Sequence, residues 1–172
     1  MKTLLVSLLV LLLAPYGHAA AAPPGDAHRQ LRNEAAVLLR RGDLAAARQK
    51  LESLPAVPGR GATSAVDAGQ QWTLLAYFFR RSGDPALARQ AAREAVAIAR
   101  TLPASAGSAS ERSSFLANAG LLSERILFDL PQAKALYDAS VAAHAANHAA
   151  RRRQQVADSR ISQRARPAPG KP

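Results

Sequence analysis

The 172-residue chain contains no cysteine. That excludes disulfides, a thiolate metal site, a cysteine nucleophile and a lipid-modified N-terminal cysteine. Lysine is scarce: Arg supplies 19 of the 23 basic side chains, leaving only Lys2, Lys50, Lys134 and Lys171. Aromatic residues make up 5 % of the chain, with a single Trp, so few large side chains are available to build a core. The main apolar run, Leu4 to Leu13, falls well short of the roughly 20 residues a helix needs to cross a bilayer.

Catalytic signatures are also missing. There is no Gly-x-Ser-x-Gly elbow and no glycine-rich phosphate loop, and Pro58 to Gly61 reads as a plain connector. His144 and His148 lie four apart on an expected sixth helix, where both imidazoles could meet one ion. Two ligands are too few, and Ala145 stands where the zinc-protease pattern needs Glu. Asp43, Asp84 and Asp129 sit at turns, where helix capping accounts for them. No catalytic residue, metal or cofactor is expected, and an enzyme is not expected.

What is present begins with the N-terminus. Lys2, the apolar run, the breakers Pro15 and Gly17, and the small residues up to Ala22 come in the order of a cleaved export signal. Residues 1–22 are therefore expected to be a signal peptide, with the periplasm as the destination and secretion as the alternative. The mature chain of about 150 residues is one domain's worth. Its excess charge is uneven, +6 from Arg151 to the end against +4 over residues 23–150.

Two stretches repeat each other. Arg40-Arg41-Gly42-Asp43-Leu44-Ala45-Ala46-Ala47-Arg48-Gln49 matches Arg81-Ser82-Gly83-Asp84-Pro85-Ala86-Leu87-Ala88-Arg89-Gln90, with the two glycines 41 residues apart. Each glycine is flanked by helical periodicity, which predicts stacked helix-turn-helix units. Six helices are expected. The first runs from Asp26 to Arg41, and the second from Leu44 to Pro55, followed by a loop over Ala56 to Ser64. The third, Ala65 to Ser82, carries Trp72, Leu75, Ala76 and Phe79 on one side. The fourth runs from Pro85 to Leu102, and the fifth from Ala109 to Phe128 behind a Ser108/Glu111 capping box. The sixth opens at Asp129-Leu130-Pro131 and frays after Ala150.

Trp72, Leu75, Ala76, Phe79, Gly83, Ala88 and Ala95 are similar in type and spacing to the signature of the tetratricopeptide repeat, a 34-residue helical hairpin. The first unit keeps Leu31, Ala35, Leu38, Gly42, Ala47 and Leu51 in matching places but has no Trp. A third unit keeps Leu116, Gly120, Ala133 and Tyr137 if one residue is inserted before Pro131. The resemblance spans Asp26 to Ala150 and implies an all-α solenoid of about three stacked antiparallel hairpins. The longer spacing between units implies a divergent relative; an irregular six-helix bundle satisfies the same apolar stripes.

Repeats of this kind bind rather than catalyse. The resemblance implies that the first helix of each hairpin lines a concave groove. That displays Arg29, Arg32 and Arg40 from the first unit, Gln70, Thr73, Tyr77, Arg80 and Arg81 from the second, and Ser114, Leu121 and Arg125 from the third. Guanidinium groups pair bidentately with carboxylates, so a protein or peptide partner, acidic in character, is expected. The alternative is that these arginines are solvated helix faces.

Arg151 to Pro172 reads as a basic tail, with Arg151-Arg152-Arg153 continuing the sixth helix and disorder beyond about Ser162. The export signal and the lack of aromatics in the tail argue against nucleic acid. An anionic envelope surface is the better match for the tail. A different class of function follows from this: a basic surface protein that holds anionic lipid or polysaccharide by charge alone.

Overall fold

A computed structural model describes residues 25–54 and 65–165. The expected signal peptide, the loop over 56–64 and the last seven residues lie outside the described residues. Within them the protein is all-α, with seven α-helices and no strand. They are α1 (Gly25–Arg41), α2 (Leu44–Glu52), α3 (Ala65–Arg81), α4 (Pro85–Arg100), α5 (Ala109–Leu122), α6 (Leu130–Ala143) and α7 (His148–Ala165). A π-helical turn, Ser123–Leu127, prolongs α5.

The repeated sequence makes repeated turns. Gly42 and Gly83 take left-handed backbones at φ 84° and 81°, which glycine adopts without steric penalty. The next residue is an Asp N-cap in both: Ala46 N–H donates to Asp43 Oδ1 and Leu87 N–H to Asp84 Oδ1, each at 3.0 Å. A third turn has the same form. Phe128 is left-handed at φ 59°, and Asp129 Oδ1 accepts from Gln132 N–H at 2.9 Å. The first two turns close when Asp43 N–H reaches Leu38 O and Asp84 N–H reaches Phe79 O, five residues back. In the third, Asp129 N–H reaches Ser123 O, six residues back. The residue that the alignment of the third unit must insert is accommodated in the π-helical turn, whose i→i+5 bonds hold one more residue than an α-turn.

Contacts between helices fix their order and direction. Arg32 on α1 pairs with Asp67 near the start of α3, and Arg81 at the end of α3 donates to the Leu39 carbonyl at the end of α1. Those two helices therefore run parallel. Gly69 near the start of α3 faces Phe115 on α5, so closely that a Cβ on Gly69 would collide with the ring. Ile126, at the far end of α5, shares a core cluster with Phe79 and Ala88. So α5 is parallel to α3. The alternate helices α2, α4 and α6 return antiparallel, giving three hairpins stacked side by side.

The core follows the apolar stripes. Leu75, Ala76, Phe79, Ala88, Ala92 and Ala95 are almost wholly buried, small residues of α4 accepting the large ones of α3. Burying Leu75 or Phe79 contributes about 1.5–3 kcal/mol each. A second cluster gathers Val66, Val96, Phe115, Leu116 and Leu136, and a third gathers Leu130, Ala133, Tyr137 and Ala157.

The last cluster corrects the expected tail. The sixth helix does not run through Ala150; it stops at Ala143, and His144 takes an extended backbone at φ −155°. Asn147 then caps a new helix, its Oδ1 accepting from Ala150 N–H at 3.1 Å while its Nδ2 donates to Ser113 Oγ at 2.9 Å. Ser113 and Ser140 are fully buried and bridge α5 to α6 by reciprocal hydroxyl-to-carbonyl bonds of 2.8 and 2.7 Å. The chain from Arg151 to Ala165 is thus the body of α7, packed on α6 through Ala150 and Ala157 and parallel to α5. Seven helices replace the expected six, because a side-chain network pins the break. The same break puts His144 and His148 on different elements, so they no longer share a helix face.

Candidate functional site

Helices α1, α3 and α5 present one common face. On α3 it runs Gln70, Thr73, Tyr77, Arg80, and on α5 it runs Ser110, Ser114, Leu121, Arg125, each set recurring at helical spacing. Its two ends are chemically unlike.

At the end where these helices begin lies a cleft of about 390 Å³ lined by Arg29, Arg32, Asn33, Asp67, Gln70, Ser110, Glu111 and Ser114, among others. Its arginines are compensated. Arg32 is 5 % exposed, and its Nη2 donates to Asp67 Oδ1 at 2.5 Å. Arg29 Nη2 reaches Glu111 Oε1 at 3.0 Å, joining the first hairpin to the third. Glu111 is also half of the expected capping box, accepting from Ser108 N–H at 2.9 Å. The Ser108 backbone bond, then the Ser108 side-chain bond, and the charges of Arg29 and Arg32 hold the Glu111 carboxyl below the usual range. The groove expected to be basic is balanced here, because the sequence distance between Arg32 and Asp67, or Arg29 and Glu111, hides that they meet.

At the other end the balance fails. Tyr77 is half-buried, and its hydroxyl is shut from solvent with no hydrogen-bond partner among the described residues. Burial pushes the phenol up, opposed by the positive charges of Arg125, Arg153 and Arg80. None of these three arginines pairs with a carboxylate among the described residues. Beside them Tyr137 donates to Glu124 Oε2 at 2.9 Å, and Glu124 Oε1 accepts from Arg160 at 2.5 Å. Burial, and then the neighbouring Glu124, raise the Tyr137 phenol as well.

Of the residues expected to meet a partner, Arg29, Gln70 and Ser114 line the cleft, and Tyr77, Arg80 and Arg125 gather at the opposite end. Leu121 is half-buried on the intervening surface of α5, and Arg40 is exposed in the last turn of α1. Three others have structural duties. Arg32 is the buried half of an ion pair, Thr73 is buried with its hydroxyl donating to Gly69 O at 2.9 Å, and Arg81 fastens α3 to the end of α1. Arg153 joins the cluster unforeseen, since sequence places it in a tail. The available signal was Asn147, a good N-cap residue inside an alanine run.

Comparison with protein-family models, with curated proteins and with solved structures finds no match to this chain. Among the described residues there is no group of three or more His, Asp or Glu side chains able to hold a metal. No described helix is long and apolar enough to cross a membrane.

Proposed function

We propose that this chain is an exported, non-enzymatic scaffold of tetratricopeptide-like hairpins that holds an acidic stretch of a protein or peptide partner against the face of α1, α3 and α5. The observation that carries this reading is the Tyr77 hydroxyl, buried with no hydrogen-bond partner among the described residues, within reach of the positive charges of Arg125, Arg153 and Arg80, which meet no carboxylate among those residues. A buried hydroxyl without a partner costs about 1–3 kcal/mol. A carboxylate drawn to the exposed guanidinium groups of Arg80 and Arg125 would pair with them, and a side-chain shift that admits it would give the phenol an acceptor. The balanced cleft at the other end suits neutral or mixed-charge portions of the same partner. The α7 helix, polar on its outer face, covers the last hairpin as a terminal element of a stack must. Lys2 and the apolar run behind it support export, the periplasm before the outside medium.

The test uses a fluorescent oligoglutamate and an oligolysine of equal length as probes. The oligoglutamate is expected to bind at physiological salt and to weaken tenfold or more in the Arg80→Gln/Arg125→Gln variant. Equal affinity for both probes, or an unchanged affinity in the variant, defeats the proposal.

A further inference from the structure

The third hairpin turn differs from the other two in one residue. Where Gly42 and Gly83 stand, the third turn places Phe128 in the left-handed conformation at φ 59°. A side chain there crowds the following carbonyl, and glycine escapes that strain. Burial of the ring would offset it, yet Phe128 is 79 % exposed. The fold gains nothing from this side chain, which points to a use outside it.

The surroundings of Phe128 indicate which use. Since α1, α3, α5 and α7 run parallel, all four end on the edge that carries the three turns. They bring Arg40, Arg41, Arg80, Arg125 and Arg164 there, all exposed, together with Arg160, whose charge is answered by Glu124. The acidic residues of the turns, Asp43, Asp84 and Asp129, direct their carboxylates into helix N-termini as caps. A protein interface needs a contiguous apolar centre. Only Phe128 and Val156 are exposed large hydrophobic residues among those described, so one aromatic ring stands within a field of guanidinium groups.

We propose that this turn edge docks on an anionic lipid bilayer, with the Phe128 ring entering at headgroup depth and the arginines on lipid phosphates. The edge shares Arg80 and Arg125 with the proposed peptide site, but Phe128 is not part of the Tyr77 cluster, so Phe128 variants test the docking separately from that site. The docking also differs from charge attraction by the C-terminal segment, which no Phe128 variant alters.

The experiment is vesicle co-sedimentation of the mature chain at physiological salt, on phosphatidylcholine alone and with about one-third phosphatidylglycerol. The wild-type chain is expected to bind only the anionic vesicles. Phe128→Ala keeps every charge and is expected to bind about tenfold more weakly. Phe128→Gly is expected to lose binding equally while its thermal midpoint holds or rises by up to about 4 °C, since glycine relieves the strain. Both variants should keep wild-type affinity for oligoglutamate. Absence of wild-type binding to anionic vesicles, which would leave a protein as the partner of this edge, overturns the proposal. So does binding unchanged in Phe128→Ala, which would mean charge alone.

Discussion

The two ends of the face shared by α1, α3 and α5 use the same side chain for opposite purposes. Arg29 and Arg32 meet Glu111 and Asp67 at 3.0 and 2.5 Å and tie three hairpins together. Arg80, Arg125 and Arg153 meet no carboxylate among the described residues, and their charges act on a phenol whose hydroxyl has no hydrogen-bond partner among those residues. An arginine whose charge is answered inside the fold is a fastener. One whose charge is unanswered is available to a ligand. The count of arginines on a face says little until their carboxylates are located.

The largest expected effect lies at the compensated end. Replacing Arg32 by Ala removes the buried partner of Asp67 and is expected to cost roughly 2–4 kcal/mol, read from urea unfolding. A cost below the level of an exposed substitution would show that this end is no fastener. Gly69→Ala comes next, at about 1–3 kcal/mol, because the new methyl collides with the Phe115 ring that joins α3 to α5.

Tyr77→Phe distinguishes the ends in the other direction. Removing a buried hydroxyl that meets no hydrogen-bond partner among the described residues is expected to stabilise the free chain by about 1 kcal/mol while weakening oligoglutamate binding. Loss of stability in this variant would mean that the hydroxyl has a structural partner. Arg80→Gln with Arg125→Gln is expected to leave stability within about 0.5 kcal/mol, since neither charge is answered within the fold. A large drop on denaturant unfolding would make them fasteners too.

The smallest effect is a pH dependence. The Glu111 carboxyl is depressed in the folded state by the Ser108 bonds and by Arg29 and Arg32. Its contribution to stability is complete above the ordinary glutamate value near 4.3 and is lost as pH falls through the lower folded value. A urea midpoint that declines on acidification below about pH 4, less steeply in Glu111→Gln, is the expected result. Equal slopes would assign the decline to other carboxylates.

Much of the fold was legible because its signals are local. Gly42-Asp43 and Gly83-Asp84 announce a left-handed turn and a cap within two residues, and Ser108 with Glu111 announces a capping box three residues wide. The break before α7 was hidden within Ala142 to Ala150, where six alanines flank His144, Asn147 and His148 and keep the run helix-prone on both sides of the boundary. What stops α6 there is Asn147 reaching Ser113, 34 residues away. Of the candidate site, Gln70, Tyr77 and Arg80 came only from the resemblance to helical hairpin repeats, and nothing in spacing pairs Arg29 with Glu111 or brings the charge of Arg153 to bear on Tyr77.

The sequence by itself determined that the chain is all-α, where its hairpins turn and which stripe of each helix is apolar. These follow from backbone preference and periodicity, which act over a few residues. Tertiary structure alone decided which arginines are neutralised and which stand free, and that the segment from Arg151 to Ala165 is a packed helix. It also decided that Phe128, a residue without the freedom of glycine, holds a glycine's place at the surface. Charge compensation and helix termination by distant side chains depend on which surfaces meet in three dimensions, and that is settled only when the helices pack.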